Sequence, residues 1–492
     1  MEQQTQPQEM KRELGLLDGT MLVVGSMIGS GIFIVSTDIT RYVGSAGWLI
    51  AVWVITGFMT LTAAVSYGEL SAMFPKAGGQ YVYLKEAYGK FVAFLYGWSF
   101  FAVIQTGTIA AVGVAFSKFA SYLPYCKFLS EDNILYKLKT GVDEHGTDKF
   151  FTISAAQITA IVLIIILTYI NTRGVKSGKI IQTIFTLTKL LSLFGLIIFG
   201  FIAIKSDIWH ANWSNAWNLH GLNKDGSASL LSYTTPIALG AIAASMVGSI
   251  FSSDAWNNVT FIAGEMVNPK RNIGLSLFFG TLIVTLIYVS INVVYVGTLS
   301  MHDIASAPNR RVALEASQVI FGSIGTLIIA VMIMISTFGC NNGLIMSGAR
   351  VYYSMAKDGL FFKRTGNLNK FAVPQFGLWI QCVVASILCL SGAYGDLLDM
   401  ISLVVVIFYI LTIFGIYILR VKRPDAERPY KAFGYPVLPA LYIIMGLAFC
   451  ILLLRYKPEY STGGLYIVLT GIPIYFVAKK YFKNDEEITV TD

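Results

Sequence analysis

The amino-acid sequence predicts an all-α membrane protein with twelve transmembrane helices. Three observations carry that reading. The chain of 492 residues is 55% hydrophobic and only 13% charged, whereas soluble domains are about 25% charged. Its apolar residues gather into twelve runs near the ~20 residues that a bilayer core demands. Its Lys and Arg residues fall between those runs, and unequally on the two sides. Intrinsic disorder is excluded, because it needs low hydrophobicity. The net charge of +8 does not indicate nucleic-acid binding, since the basic residues punctuate apolar runs instead of clustering on one face.

Taken in order, residues 1–15 read as a cytoplasmic tail whose polar start, Met1 to Glu13, has no signal-peptide pattern. The spans are 16–40, 47–73, 90–122, 152–171, 180–204, 233–266, 273–299, 322–356, 374–394, 397–419, 434–454 and 463–482. The third, sixth and eighth exceed a straight crossing, so tilt or breaks must absorb the excess. With both termini cytoplasmic, the inner segments hold 23 Lys and Arg and the outer segments 11, while Lys118 and Lys189 fall within spans. That bias follows the positive-inside rule, and the expected location is the plasma (cell inner) membrane, as a multi-pass protein. Residues 483–492 form a second cytoplasmic tail.

Val24-Gly25-Ser26-Met27-Ile28-Gly29-Ser30 in span 1 resembles Val247-Gly248-Ser249-Ile250-Phe251-Ser252-Ser253 in span 6. Five spans separate them, so the second copy enters from the opposite side. The pattern predicts a 5+5 inverted repeat, 16–204 (spans 1–5) against 233–420 (spans 6–10), with spans 11 and 12 appended over 421–482. Matching interruptions in two such halves point to a binding site at mid-membrane. The structural alternative is that the small residues only let helices pack closely. Gly29-Ser30-Gly31 is a poor helix interior, since each Gly costs about 1 kcal/mol against Ala. Unwinding there frees N–H groups that must line a cavity or meet a ligand. The half-helix after the break attracts an anion, and freed carbonyls before it suit an ammonium. An α-amino acid carries both charges.

Lys189 lies ten residues past Lys179, about 15 Å into span 5. A charge at that depth costs at least about 2.5–3.5 kcal/mol, and snorkelling to the interface is a long reach. It is expected to act on the freed carbonyls in place of a bound cation, or to carry a proton. Asp254, at the expected break in span 6, is expected to be a helix cap, a neighbour of the ligand, or both. Glu69 and Glu265 end spans 2 and 6 and are expected to be wetted helix ends. Asn341 and Asn342 in span 8 are expected to hold helices together. The cysteines, Cys126, Cys340, Cys382, Cys389 and Cys450, show no metal-ligand spacing. No metal and no cofactor is expected. All four histidines, His145, His210, His220 and His302, fall in expected external loops, which argues against an embedded enzyme. A sensor that binds without flux would usually carry a long soluble tail.

Gly25-Ser26-Met27-Ile28-Gly29-Ser30-Gly31-Ile32-Phe33 resembles the first-span motif of the amino acid–polyamine–organocation superfamily. Phe251-Ser252-Ser253-Asp254-Ala255-Trp256-Asn257 with Glu265 is similar to the sixth-span motif of its L-type amino acid transporter branch. Phe185-Thr186-Leu187-Thr188-Lys189-Leu190, Phe338-Gly339-Cys340-Asn341-Asn342-Gly343 and the loop Arg423 to Lys431 resemble the same branch, in the form of a bacterial member. The resemblance implies a leucine-transporter-type fold and sodium-independent transport of neutral L-amino acids by alternating access, by exchange. A proton-coupled symporter using Lys189 is the alternative.

The resemblance also assigns residues. Gly29, Ser30 and Gly31 would bind the carboxylate, and carbonyls of Met27, Phe251 and Asp254 would face the amine. Phe251 would be a gate, with Ile28, Ser252 and Asn257 as further neighbours of the substrate. Lys189 would replace a sodium ion, with Ser347 near it. Ser253, Asp254 and Ala255 depart from the branch's pattern, which bears on the side chain preferred. Animal members pair with a glycoprotein through a cysteine after span 3. Cys126 falls in that loop, but a free thiol and no obligatory protein partner are expected, leaving an amino acid and the lipid bilayer as the chain's partners.

Overall fold

The computed structural model describes residues 10–142, 148–229, 233–391, 394–458 and 462–481. It is helical apart from one hairpin. The first apolar run divides into α1 (Leu16–Met27), a 3-10 turn (Gly31–Phe33) and α2 (Val35–Val43), which Gly44 ends in the left-handed region. Next come α3 (Ala46–Met73) and α4 (Gln80–Tyr88). The third span joins α5 (Lys90–Ser99) to α6 (Gln105–Ala120) through a π-helical turn, Phe100–Ile104. Strands β1 (Ile134–Val142) and β2 (Asp148–Ser154) pair antiparallel. Then follow α7 (Ala155–Thr172), α8 (Val175–Ile202) and the short α9 (Ser206–Ser214). The second half runs through α10 (Thr235–Ser252), α11 (Asn258–Phe261), a 3-10 turn (Ala263–Glu265) and α12 (Pro269–Thr298). It continues with α13 (Met301–Ser306), α14 (Val312–Phe321), α15 (Gly325–Lys357), α16 (Gln375–Ser391) and α17 (Tyr394–Lys422). Helices α18 (Val437–Tyr456) and α19 (Thr462–Tyr481) close the chain.

Two expectations change. The all-α reading misses the hairpin, although Tyr136 and Leu138 alternate there with Lys137 and Lys139. The expectation of twelve crossings meets ten helices long and apolar enough to span by themselves, among the described residues. The other two apolar segments are α1, cut to 12 residues by its break, and α16, with 17.

Helix α8 shows the solvent that the chain is built for. Ile184, Leu187, Leu191, Phe194, Ile198 and Ile202 are exposed along one face, while Gln182, Thr186 and Lys189 are buried on the other. Polar groups inward and apolar groups outward suit lipid, where buried polar side chains hold helices together. The interior packs in matching pairs. α3 lies on α12 and α6 on α15; α1 meets α12 as α10 meets α3; α1 meets α8 as α10 meets α17. The N-terminal segment is strapped to the second half. The N–H groups of Glu13 and Leu14 donate to the Glu265 carbonyl (2.9 and 3.0 Å), and Val267 N–H donates to the Leu14 carbonyl (2.8 Å).

Candidate functional site

The chain breaks at the two expected places. Helix α1 stops at Met27, and Ile28 turns extended (φ −79°, ψ 96°). Among the described residues nothing accepts from the N–H groups of Gly29, Ser30, Gly31 and Ile32. Four successive bare donors make a ready anion site. Helix α10 stops at Ser252, and Ala255 takes a positive φ of 63°. A non-glycine residue in that region is costly and marks a special site. The breaks touch, for a Cβ on Gly31 would collide with Ser252 Oγ. The Tyr288 hydroxyl of α12 lies between the Met27 and Ser252 carbonyls, 3.1 and 2.9 Å away. One residue therefore ties both breaks together.

Lys189 is 1% exposed. Its Nζ donates to the carbonyls of Gly25 (2.9 Å), Ile28 (2.7 Å) and Ser336 (3.0 Å). Three acceptors engage all three ammonium donors. The approach is possible because Gly25 and Gly339 present no side chain toward α8; a Cβ on Gly25 would strike Gln182 and Thr186. Ser336 Oγ reaches the Ile28 and Gly29 carbonyls (3.0 and 2.9 Å), and Cys340 Sγ reaches the Ser26 carbonyl (3.0 Å). Carbonyls that unwinding frees are thus met by a lysine, a serine and a thiol. Ser347 is not among them. It lies two turns beyond Gly339 on α15, and its Oγ donates to the Gly343 carbonyl (2.8 Å). The hydroxyl at the site is Ser336, which carries no local sequence signal.

Beside the second break is a small cavity walled by Gln80, the π-turn residues Phe100 and Ile104, Gln105, Asp254, Asn257, Asn258, Leu344 and Tyr409 among others. It lies one turn from the first break. Cys340 and Val112, which flank Gly29, sit four residues from the wall residues Leu344 and Thr108. A second small cavity, walled by Thr56, Thr60, Trp256 and Tyr442 among others, shares Asp254 and Tyr409 with the first.

Asp254 is not a cap. Its carboxylate accepts from the Tyr409 hydroxyl, and α11 begins after Asn257 without a side-chain cap. Asn257 Nδ2 donates to Gln80 Oε1 (2.7 Å), and Gln80 Nε2 donates to Thr412 Oγ1 (3.1 Å). The Phe251 carbonyl, expected to face an amine, accepts from Asp254 N–H (3.1 Å).

Glu265 and Glu69 are not wetted helix ends. Glu265 is 0% exposed and holds buried Arg350 at 2.8 Å. Glu69 is buried with Arg420 (2.7 Å) and Arg428 (3.4 Å), and accepts from Ala432 N–H (2.7 Å). Their partners are too far along the chain for the sequence to suggest them. Asn342 does bind helices, donating to Gly178 O and Gln182 Oε1 and accepting from Asn171. Asn341 finds no partner among the described residues. Cys126 is a free, half-buried thiol, and His145 lies outside the described residues.

A family model described as amino acid permease matches residues 14–477. The large neutral amino acids transporter small subunit 2 of Homo sapiens is 28% identical over 476 residues, 95% of this chain and 80% of that protein. The serine/threonine exchanger SteT of Bacillus subtilis (strain 168) is 28% identical over 480 residues, 97% of this chain and 99% of that protein. The Asc-type amino acid transporter 1 of Mus musculus is 26% identical over 472 residues, 95% of this chain and 81% of that protein.

Proposed function

The chain belongs to the amino acid permease family, and from that premise we propose that it carries neutral L-amino acids across the membrane by alternating access, as a sodium-independent exchanger. The carboxylate would take the bare N–H groups at Gly29, Ser30 and Gly31. The amine would face carbonyls at the two breaks, Asp254 O among them. Ile28 and Phe251 would border the bound molecule, Phe251 as its gate. The relatives' names speak of amino acid transporters and of an exchanger, which supports the reading.

The observation that carries sodium independence is the Lys189 ammonium on three carbonyls around the first break. A tethered cation there leaves no vacancy for a mobile one. The same geometry weighs against a proton-coupled carrier using Lys189, because all three donors are committed. The fold would be of the leucine-transporter type with a 5+5 inverted repeat. The matching helix pairs support this, α1 on α12 and α8 having counterparts in α10 on α3 and α17. Both termini would be cytoplasmic, and no second protein would be obligatory.

The test is uptake of labelled alanine into liposomes holding the purified chain. Replacing sodium by choline should leave uptake unchanged, and loading the lumen with unlabelled alanine should stimulate it. Sodium-dependent uptake, or uptake indifferent to loading, would overturn the respective part of this reading.

A further inference from the structure

Two polar residues in the wall of the cavity beside the second break keep hydrogen-bonding capacity that the protein does not use. Asn258 is 1% exposed, and its Nδ2 has no partner among the described residues. Asp254 presents an acceptor-only carboxylate with about four lone-pair sites. It receives the Tyr409 hydroxyl. Among the described residues no cation lies within ion-pair distance of it. The nearby buried cations are committed elsewhere, Lys189 to three carbonyls and Arg350 to Glu265.

The other amides in the wall are occupied. Gln80 lies between Asn257 and Thr412, and Gln105 Nε2 donates to the Leu344 carbonyl (2.6 Å). Asn258 Nδ2, buried and without a partner among the described residues, and the Asp254 carboxylate belong to the same wall, one turn from the expected seat of the substrate backbone.

We propose that this cavity receives the substrate's side chain, and that Asp254 and Asn258 make it select a carboxamide, as in glutamine or asparagine. The inference rests on the amino acid carrier reading above. The side-chain NH₂ donates to Asp254, and the side-chain carbonyl accepts from Asn258. An aliphatic side chain of the same length gives Asn258 Nδ2 no acceptor and shields the Asp254 carboxylate from water without a donor in return, which costs affinity. An ammonium side chain answers Asp254 but leaves Asn258 Nδ2 buried and unmet. A site built of polar groups rejects isosteres that lack the matching group far better than an apolar slot rejects a missing methylene.

The experiment uses the full chain in liposomes and labelled alanine as reporter, with unlabelled competitors of matched shape. Glutamine should compete at least about tenfold more strongly than methionine, and asparagine more strongly than leucine by a similar factor. Asn258→Leu should shrink the glutamine-to-methionine ratio toward one. Methionine competing as well as glutamine overturns the inference, as does lysine competing better than glutamine. A ratio unmoved in Asn258→Leu overturns the role of that residue. Should the variant not fold, the isosteric panel on the unmodified chain decides alone. Failure of every amino acid to compete, with no alanine uptake, sinks the carrier reading instead.

Discussion

Lys189 shows how one side chain can define a membrane site. Removing it takes a donor from the carbonyls of Gly25, Ile28 and Ser336, and Ile28 keeps only Ser336 Oγ; a buried group left unmet costs about 1–3 kcal/mol. Lys189→Ala should therefore lower alanine uptake by at least about tenfold, a factor that needs only 1.4 kcal/mol. The protein should still reach the membrane, because the ammonium braces a local break and not the whole bundle. Uptake and membrane abundance measured on the same vesicles check this, and full activity would show the lysine to be incidental. The lysine was legible in the sequence as a charge at an impossible depth. Its companions Ser336 and Tyr288 were not, since a serine or a tyrosine in an apolar run is ordinary, and only the fold shows which carbonyl it meets.

Elements were legible to within a few residues wherever glycine and polarity coincide. The first break opens after Met27, inside the expected stretch. The second opens later than the Gly248-Ser249 pair that signalled it. Ser249 and Ser252 donate back to the Met246 and Gly248 carbonyls, and the helix runs on to Ser252. Gly248 itself serves close packing on Val35. The breaks meet at Gly31 and Ser252, so spacing between them is testable. Gly31→Ala should abolish uptake by driving Ser252 away, and adding Ser252→Gly should restore part of it. Uptake by the single and double variants at equal abundance is the measurement. Equal loss in both would show that the contact between the segments is not what matters.

Across the molecule, the apolar runs and the two breaks could be read ahead of the fold, whereas the buried ion pairs could not. Glu265 and Arg350 are 85 positions apart, and Glu69 and Arg420 are 351 apart. Pairing over such distances exists only once the helices are stacked. Glu265→Gln leaves the Arg350 charge unanswered and should destabilise the fold by about 3–5 kcal/mol. The double variant Glu265→Gln, Arg350→Met should recover much of that loss, because no buried charge is left alone. Thermal unfolding in detergent reads both, and a double variant as unstable as the single would count against the pairing. The strap that joins Glu13 and Leu14 to Glu265 and Val267 adds a consequence of its own. Its three main-chain bonds rivet the first half of span 1 to the tail of span 6. Those two pieces must swing as one lever. A pair of probes placed on them should keep a constant separation through the whole working cycle, while either probe measured against α15 should see the stroke.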